Sequence, residues 1–244
     1  MMQYSNLKRV FLEEILDAGK ICAITSPKKR HHLQVVLKIR KDERLRVFNN
    51  SCGEWLATVK NIANKAILVE ISEQLRSPVL TSSKVIIAIA PIKHHRLSIA
   101  IEKCTEIGVE AFVPLITERT TSPHLKPNKL QAYILNATEQ SERICAPTLT
   151  EPLSLYKFLE KYASDNLVAC HPRLETAPLL TVLQALNRSK RTVIAIGPEG
   201  GFSEKELAFM TAQGTNIASL GGNILRSETA AIFALSCAVA VLHN

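Results

Sequence analysis

Thr192-Val193-Ile194-Ala195-Ile196-Gly197-Pro198-Glu199-Gly200-Gly201 is followed, at 216–230, by Asn216-Ile217-Ala218-Ser219-Leu220-Gly221-Gly222-Asn223-Ile224-Leu225-Arg226-Ser227-Glu228-Thr229-Ala230. In both stretches a short apolar run (192–196, 216–220) reads as a buried parallel strand, and a glycine-bearing loop then leads into a helix. Two strand-loop-helix junctions this close together can open at one edge of a sheet, where α/β proteins bind ligands. The expected fold is therefore α/β with a mainly parallel sheet, and the two loops form two walls of one site.

The remaining strands and helices support that class. Val85–Ala90, Phe112–Ile116 and Leu167–Cys170 read as strands, while Arg96–Ile107 and Lys129–Arg143 carry apolar residues at helical spacing. Ser203-Glu204-Lys205-Glu206 has capping-box form at the start of another helix. The apolar run Ala230–Leu242 is too short to span a bilayer and reads as a buried helix. Its alanines permit tight packing on a helix of the same chain or of a second subunit.

The front of the chain differs. Arg44–Asn49, Glu54–Val59 and Lys65–Ile71 read as strands, with a turn at Asn49–Gly53 and a polar linker over 74–83. Residues 1–73 are expected to form a small β-rich domain and 74–244 the α/β domain. Of the 30 basic and 22 acidic side chains, 14 and 8 lie within residues 1–78. That excess has two readings, a polyanion-binding domain or a solubilising surface. Lys28, Lys29, Arg30, Lys38 and Arg40 are the candidates for phosphate contact.

Six cysteines lack any C-x-x-C pair, which argues against a disulfide framework or zinc motif and points to reduced thiols in the cytoplasm. Lys8, Arg9, Glu13 and Glu14 interrupt any leader-like apolar segment. His31-His32 has no matching ligands nearby, so no metal is expected.

In the loops, Gly197-Pro198-Glu199-Gly200-Gly201 matches neither G-x-G-x-x-G nor the P-loop pattern. Its amides can bind a carboxylate, a phosphate or a base edge, or it can simply be a tight turn before a capped helix. Arg226 can hold a phosphate or a developing oxyanion. Glu228, in the first turn of the last helix, has a capping reading beside a catalytic one.

The two loops together resemble the RsmE family of SPOUT RNA methyltransferases. So do Lys93…Arg96…Glu102–Val109, Pro114…Thr117-Glu118-Arg119, Glu139–Arg143…Pro147, Arg9-Val10-Phe11 and His31–Leu37. Gly222-Asn223 and His94-His95 depart from the family's usual residues. The resemblance implies a C-terminal trefoil-knot domain and an N-terminal PUA-like β-barrel that handles RNA. It also implies S-adenosylmethionine as cofactor, a homodimer, and methylation of uridine N3 in 16S ribosomal RNA of the 30S subunit. Gly197, Glu199, Gly200, Gly201, Leu220, Gly221, Ile224, Leu225 and Arg226 would surround the cofactor, and Arg9 would lie near the RNA or the second subunit.

Such chemistry needs charge stabilisation on the uracil ring, for which Arg226 is the first candidate, and a proton acceptor, for which Glu228 and Glu199 are candidates. Arg119 and Arg143 either line the RNA path or form internal ion pairs. Two rival functions fit the same resemblance: a knotted methyltransferase with another RNA target, and a non-catalytic ribosome-assembly factor.

Overall fold

Inward-facing residues at period two build the first unit. The structure is a computed structural model of the 244-residue protein and describes Tyr4 and residues 6–78, 84–121, 125–172 and 176–242. Five strands, β1 (Arg9–Phe11), β2 (Ile21–Ile24), β3 (Arg44–Asn49), β4 (Gly53–Ile62) and β5 (Ile67–Arg76), form a mixed sheet in the order β1-β3-β4-β5-β2. Ile67, Val69 and Ile71 point into its core with Val10, Leu45, Val47 and Val59, while Leu68 and Glu70 are part-exposed. Between β2 and β3 lie the five-residue helix α1 (Pro27–His31) and a π-helical turn, His32–Val36.

By its contacts the protein divides into Met1–Leu80 with Thr138–Ala146, and Thr81–Ala137 with Pro147–Asn244. The boundary expected after residue 73 falls inside β5, and residues 79–83 of the expected linker lie outside the described residues. Segment Thr138–Ala146 joins the first unit because Arg9 donates to the carbonyls of Thr138 (2.8 Å) and Arg143 (2.6 Å). Asn50 adds a reciprocal pair of bonds to the backbone of Ala146. These bonds span more than 90 residues of sequence, so local patterning carries no trace of them.

In the second unit β6 (Val85–Ile89), α2 (His94–Ile107), β7 (Ala111–Ile116), α3 (Pro127–Gln140), β8 (Thr148–Leu149) and β9 (Leu153–Ser154) come first. Then follow α4 (Leu155–Lys161), β10 (Asn166–Cys170), α5 (Leu179–Ala185), β11 (Thr192–Ile196), α6 (Glu204–Ala212), β12 (Asn216–Ala218) and α7 (Ser227–Leu242). The sheet runs β12-β10-β11-β6-β7-β8, with β9 also on β7, and every strand pairing in it is parallel among the described residues. All five residues of β6 and of β11 are buried, as unbroken apolar runs covered on both faces should be.

The connection β11-α6-β12 passes over β10, so the strand order reverses there. The loops after β10, β11 and β12 therefore share one edge. Helix α3 stops at Gln140, short of the expected Arg143, and Glu142 takes a left-handed backbone conformation (φ 57°). The Arg9 guanidinium donates to the carbonyls freed there, so a residue from far along the sequence caps the helix C-terminus.

Candidate active site

Pro198 and Gly201 close the first loop into a tight turn, the Gly201 amide donating to the Pro198 carbonyl at 2.8 Å. Ser203 then caps α6 in the expected box: its hydroxyl accepts from the Glu206 amide at 3.2 Å, and the Glu206 carboxylate accepts from the Ser203 amide at 2.9 Å. The other Glu206 oxygen accepts from the Glu118 amide, also at 2.9 Å, so this buried carboxylate fixes the loop after β7 as well. The second loop is tied to the first through Ser227, whose hydroxyl donates to the Gly197 carbonyl at 2.9 Å. That bond is buried, and it holds the start of α7 against the end of β11.

A cleft of about 190 Å³ opens between these loops at the carboxyl ends of β10, β11 and β12. Of the nine residues expected around a cofactor, Gly197, Glu199, Gly201, Leu220, Gly221, Ile224, Leu225 and Arg226 line it. Gly200 does not. A Cβ on Gly200 would lie 3.4 Å from the Arg119 side chain, in ordinary van der Waals contact with it. Cys170, His171 and Pro172, which the sequence did not single out as site residues, also line it, as does Asn223, one of the departures from the family's usual residues. Burial pushes the Cys170 thiol up to about 12, so it sits there as a neutral, inert group. Ile224 is 65% exposed, an aliphatic side chain left open beside the cleft.

On the other side of the first loop lies a second cleft, of about 600 Å³, bordered by Lys93, Arg96, Arg119, Thr121, Glu118 and Glu199. Arg96 reaches two carboxylates loosely, Glu199 at 4.0 Å and Glu228 at 3.8 Å. Glu228 is buried in the first turn of α7, and its Oε2 has no hydrogen-bond partner among the described residues. A buried carboxylate oxygen with no donor carries a desolvation cost; Glu228 itself lines neither cleft, while its neighbour Ser227 lines the first. The guanidinium of Arg226 is exposed and makes no hydrogen bond or ion pair among the described residues.

The cations expected to meet RNA separate by environment. Lys28, Lys38 and Arg40 are exposed. Arg30 is half-buried and donates to the carbonyls of Thr25 and Asn64. Lys29 donates to the Phe11 carbonyl at 2.6 Å and lies 3.6 Å from Glu139; burial lowers its pKa. Arg9, expected near the RNA or a second subunit, has its contacts within the front unit. Its side chain is 4% exposed, 2.5 Å from Glu54, and stacked on Phe48 with the guanidinium carbon 3.6 Å from the ring centre. It is an internal ion-pair residue here. Arg143 is half-buried, its carbonyl takes an Arg9 bond, and burial lowers its pKa. Arg119 is exposed at the second cleft.

Similarity to known proteins points the same way. The RNA methyltransferase domain family matches residues 80–239, and the RNA methyltransferase PUA domain family matches residues 24–72. Ribosomal RNA small subunit methyltransferase E of Rickettsia conorii is 33% identical, over 93% of both chains. The protein of the same name from a Synechocystis strain is 37% identical, over 88% of this chain and 71% of its own. A Legionella pneumophila methyltransferase solved with bound SAM superposes with a TM-score of 0.85 at 29% identity, covering 96% of this chain and 98% of that one. The fold is that of SPOUT methyltransferases, with a PUA-like front unit on its own sheet.

Proposed function

The chain belongs to the ribosomal RNA small subunit methyltransferase E (RsmE) family, and from that premise we propose that it methylates N3 of a uridine in 16S ribosomal RNA. The observation that carries this reading is the two-loop cleft with the under-satisfied Glu228 carboxylate in the α7 turn that borders it.

The cleft suits S-adenosylmethionine. Leu220, Ile224 and Leu225 offer an apolar wall for a purine, the glycine loops bring backbone groups close, and Glu199 can accept from hydroxyls. When bound, that cofactor supplies an electrophilic methyl group on a sulfonium sulfur. The protein must do the rest. Uracil N3 is nucleophilic only as its proton leaves, so a carboxylate has to accept that proton while negative charge spreads to O2 and O4. Glu228 is first choice for the acceptor because one of its oxygens is buried without a donor, and Glu199, on the rim, is second. Arg226, which lines the cleft, would stabilise the developing charge.

The reading extends to a C-terminal trefoil knot, supported by the reversal of strand order at β12 and the Ser227–Gly197 tie. It extends to a homodimer, supported by Ile99 on α2 and Phe233 on α7, large apolar side chains left exposed on two helices that pack together. It also places the enzyme in the cytoplasm, where its ribosomal substrate resides and where six free cysteines stay reduced. The exposed Lys28, Lys38 and Arg40 would meet RNA phosphates from the front unit. Incubation with labelled cofactor and unmethylated 30S subunits, followed by mass spectrometry of the modified nucleotide, tests the reading. Methyl on uridine N3 is expected; methyl on a ribose, or none, overturns it.

A further inference from the structure

The second cleft has a charge pattern that the methyl-donor site does not explain. Arg119 lies over Gly200 and donates to the Gly200 carbonyl at 2.8 Å, with the Phe202 carbonyl at 3.5 Å. These acceptors are neutral, so they fix the guanidinium in place without cancelling its charge. Among the described residues neither Arg119 nor Lys93 forms an ion pair, although both border the same cleft. Arg96, between the two clefts, is instead shared by Glu199 and Glu228. The cleft thus sets three cations against the carboxylates of Glu118 and Glu199, and of the three only Arg96 forms an ion pair among the described residues. A preorganised, unpaired guanidinium beside an ammonium is suited to a phosphate.

We propose that Arg119 and Lys93 form a seat for the backbone phosphate beside the target nucleotide, which lays the uracil across Glu199 toward the donor cleft. The inference rests on the methyltransferase reading for the identity of the nucleotide, while the seat itself rests on the cleft. Gly200 contributes through its carbonyl, which accepts from the Arg119 guanidinium at 2.8 Å.

Filter binding of labelled, unmethylated 30S subunits across a salt series tests the seat without reference to turnover. In K93Q/R119Q the affinity should fall at least tenfold. The slope of log K against log salt should become shallower by about 0.7 for each phosphate of single-stranded RNA no longer neutralised. Calorimetric affinity for S-adenosylmethionine and the melting temperature should stay at wild-type values. K157Q/K161Q, which removes two exposed charges from α4, should leave subunit binding at its wild-type value. Wild-type affinity and slope in K93Q/R119Q would overturn the seat, as would an equal loss in K157Q/K161Q. A wild-type protein that binds subunits through these residues but transfers no methyl would overturn the enzymatic reading and leave the seat standing.

Discussion

Two buried glutamates, Glu54 in the front unit and Glu228 in the α/β unit, both face arginine, and they are satisfied to very different degrees. Glu54 is 1% exposed and meets Arg9 at 2.5 Å, Arg46 at 3.5 Å and Arg76 at 3.2 Å, with partners on both oxygens. Glu228 has one distant arginine, at 3.8 Å, and one oxygen with no donor. Burying a carboxylate costs several kcal/mol unless partners replace the lost water. Where replacement is complete the group is scaffold; where it is incomplete the group is left available for a proton or a ligand. Glu206 sits with Glu54 in this respect, since backbone amides occupy both of its oxygens.

Substitutions on either side put this contrast at risk. Glu54→Ala should produce the largest loss of stability, about 3–5 kcal/mol in urea unfolding, because it strands the buried Arg9 and Arg46 charges. A loss under about 1 kcal/mol would show that those arginines find water or other acceptors. Arg226→Ala should leave unfolding unchanged and cut methyl transfer about 10²-fold, the cost of one charge-stabilising donor. Unchanged turnover would remove Arg226 from the chemistry. Glu206→Gln leaves one amide without an acceptor and should cost about 1–3 kcal/mol of stability.

The smallest effect concerns pH. Glu142 pairs with Arg46 at 2.7 Å, and the hydrogen bond from that guanidinium holds its carboxyl below the usual carboxylate range. A carboxyl with a depressed folded-state pKa stabilises the fold above its unfolded value, about pH 4.3, and that contribution disappears as pH falls through the folded value. Being half exposed, the pair should contribute under about 1 kcal/mol. The stability difference between wild type and Glu142→Gln should therefore be small at pH 7 and vanish at pH 2. A difference that persists in acid would point to packing instead of charge.

What the sequence made legible follows the same division. The glycine loops, the Ser203–Glu206 box and the strands Thr192–Ile196 and Arg44–Asn49 depend on neighbours within a few residues, and their expected positions agree with the structure. Helices α4 and α5 are seven residues each, too short for a 3.6-residue period to register. The partners of Arg9, Glu54 and the Thr138–Arg143 carbonyls, lie 45 to 134 positions away, so no local pattern shows them. That Arg119 lies over Gly200 is likewise a product of the fold, since the two stand 81 positions apart. Lys93 and Arg96 stood in a recognised segment, yet no local pattern joins α2 to the glutamate at the start of α7.

Glu228→Gln tests the contrast most directly, since the amide keeps the shape and removes the charge. Single-turnover transfer of labelled methyl to unmethylated 30S subunits should fall about 10²–10⁴-fold in this variant. Cofactor affinity should be retained and stability should be equal to or above wild type. A transfer rate within a few-fold of wild type, or a loss of stability like that of Glu54→Ala, would contradict a proton-accepting Glu228 and make it scaffold.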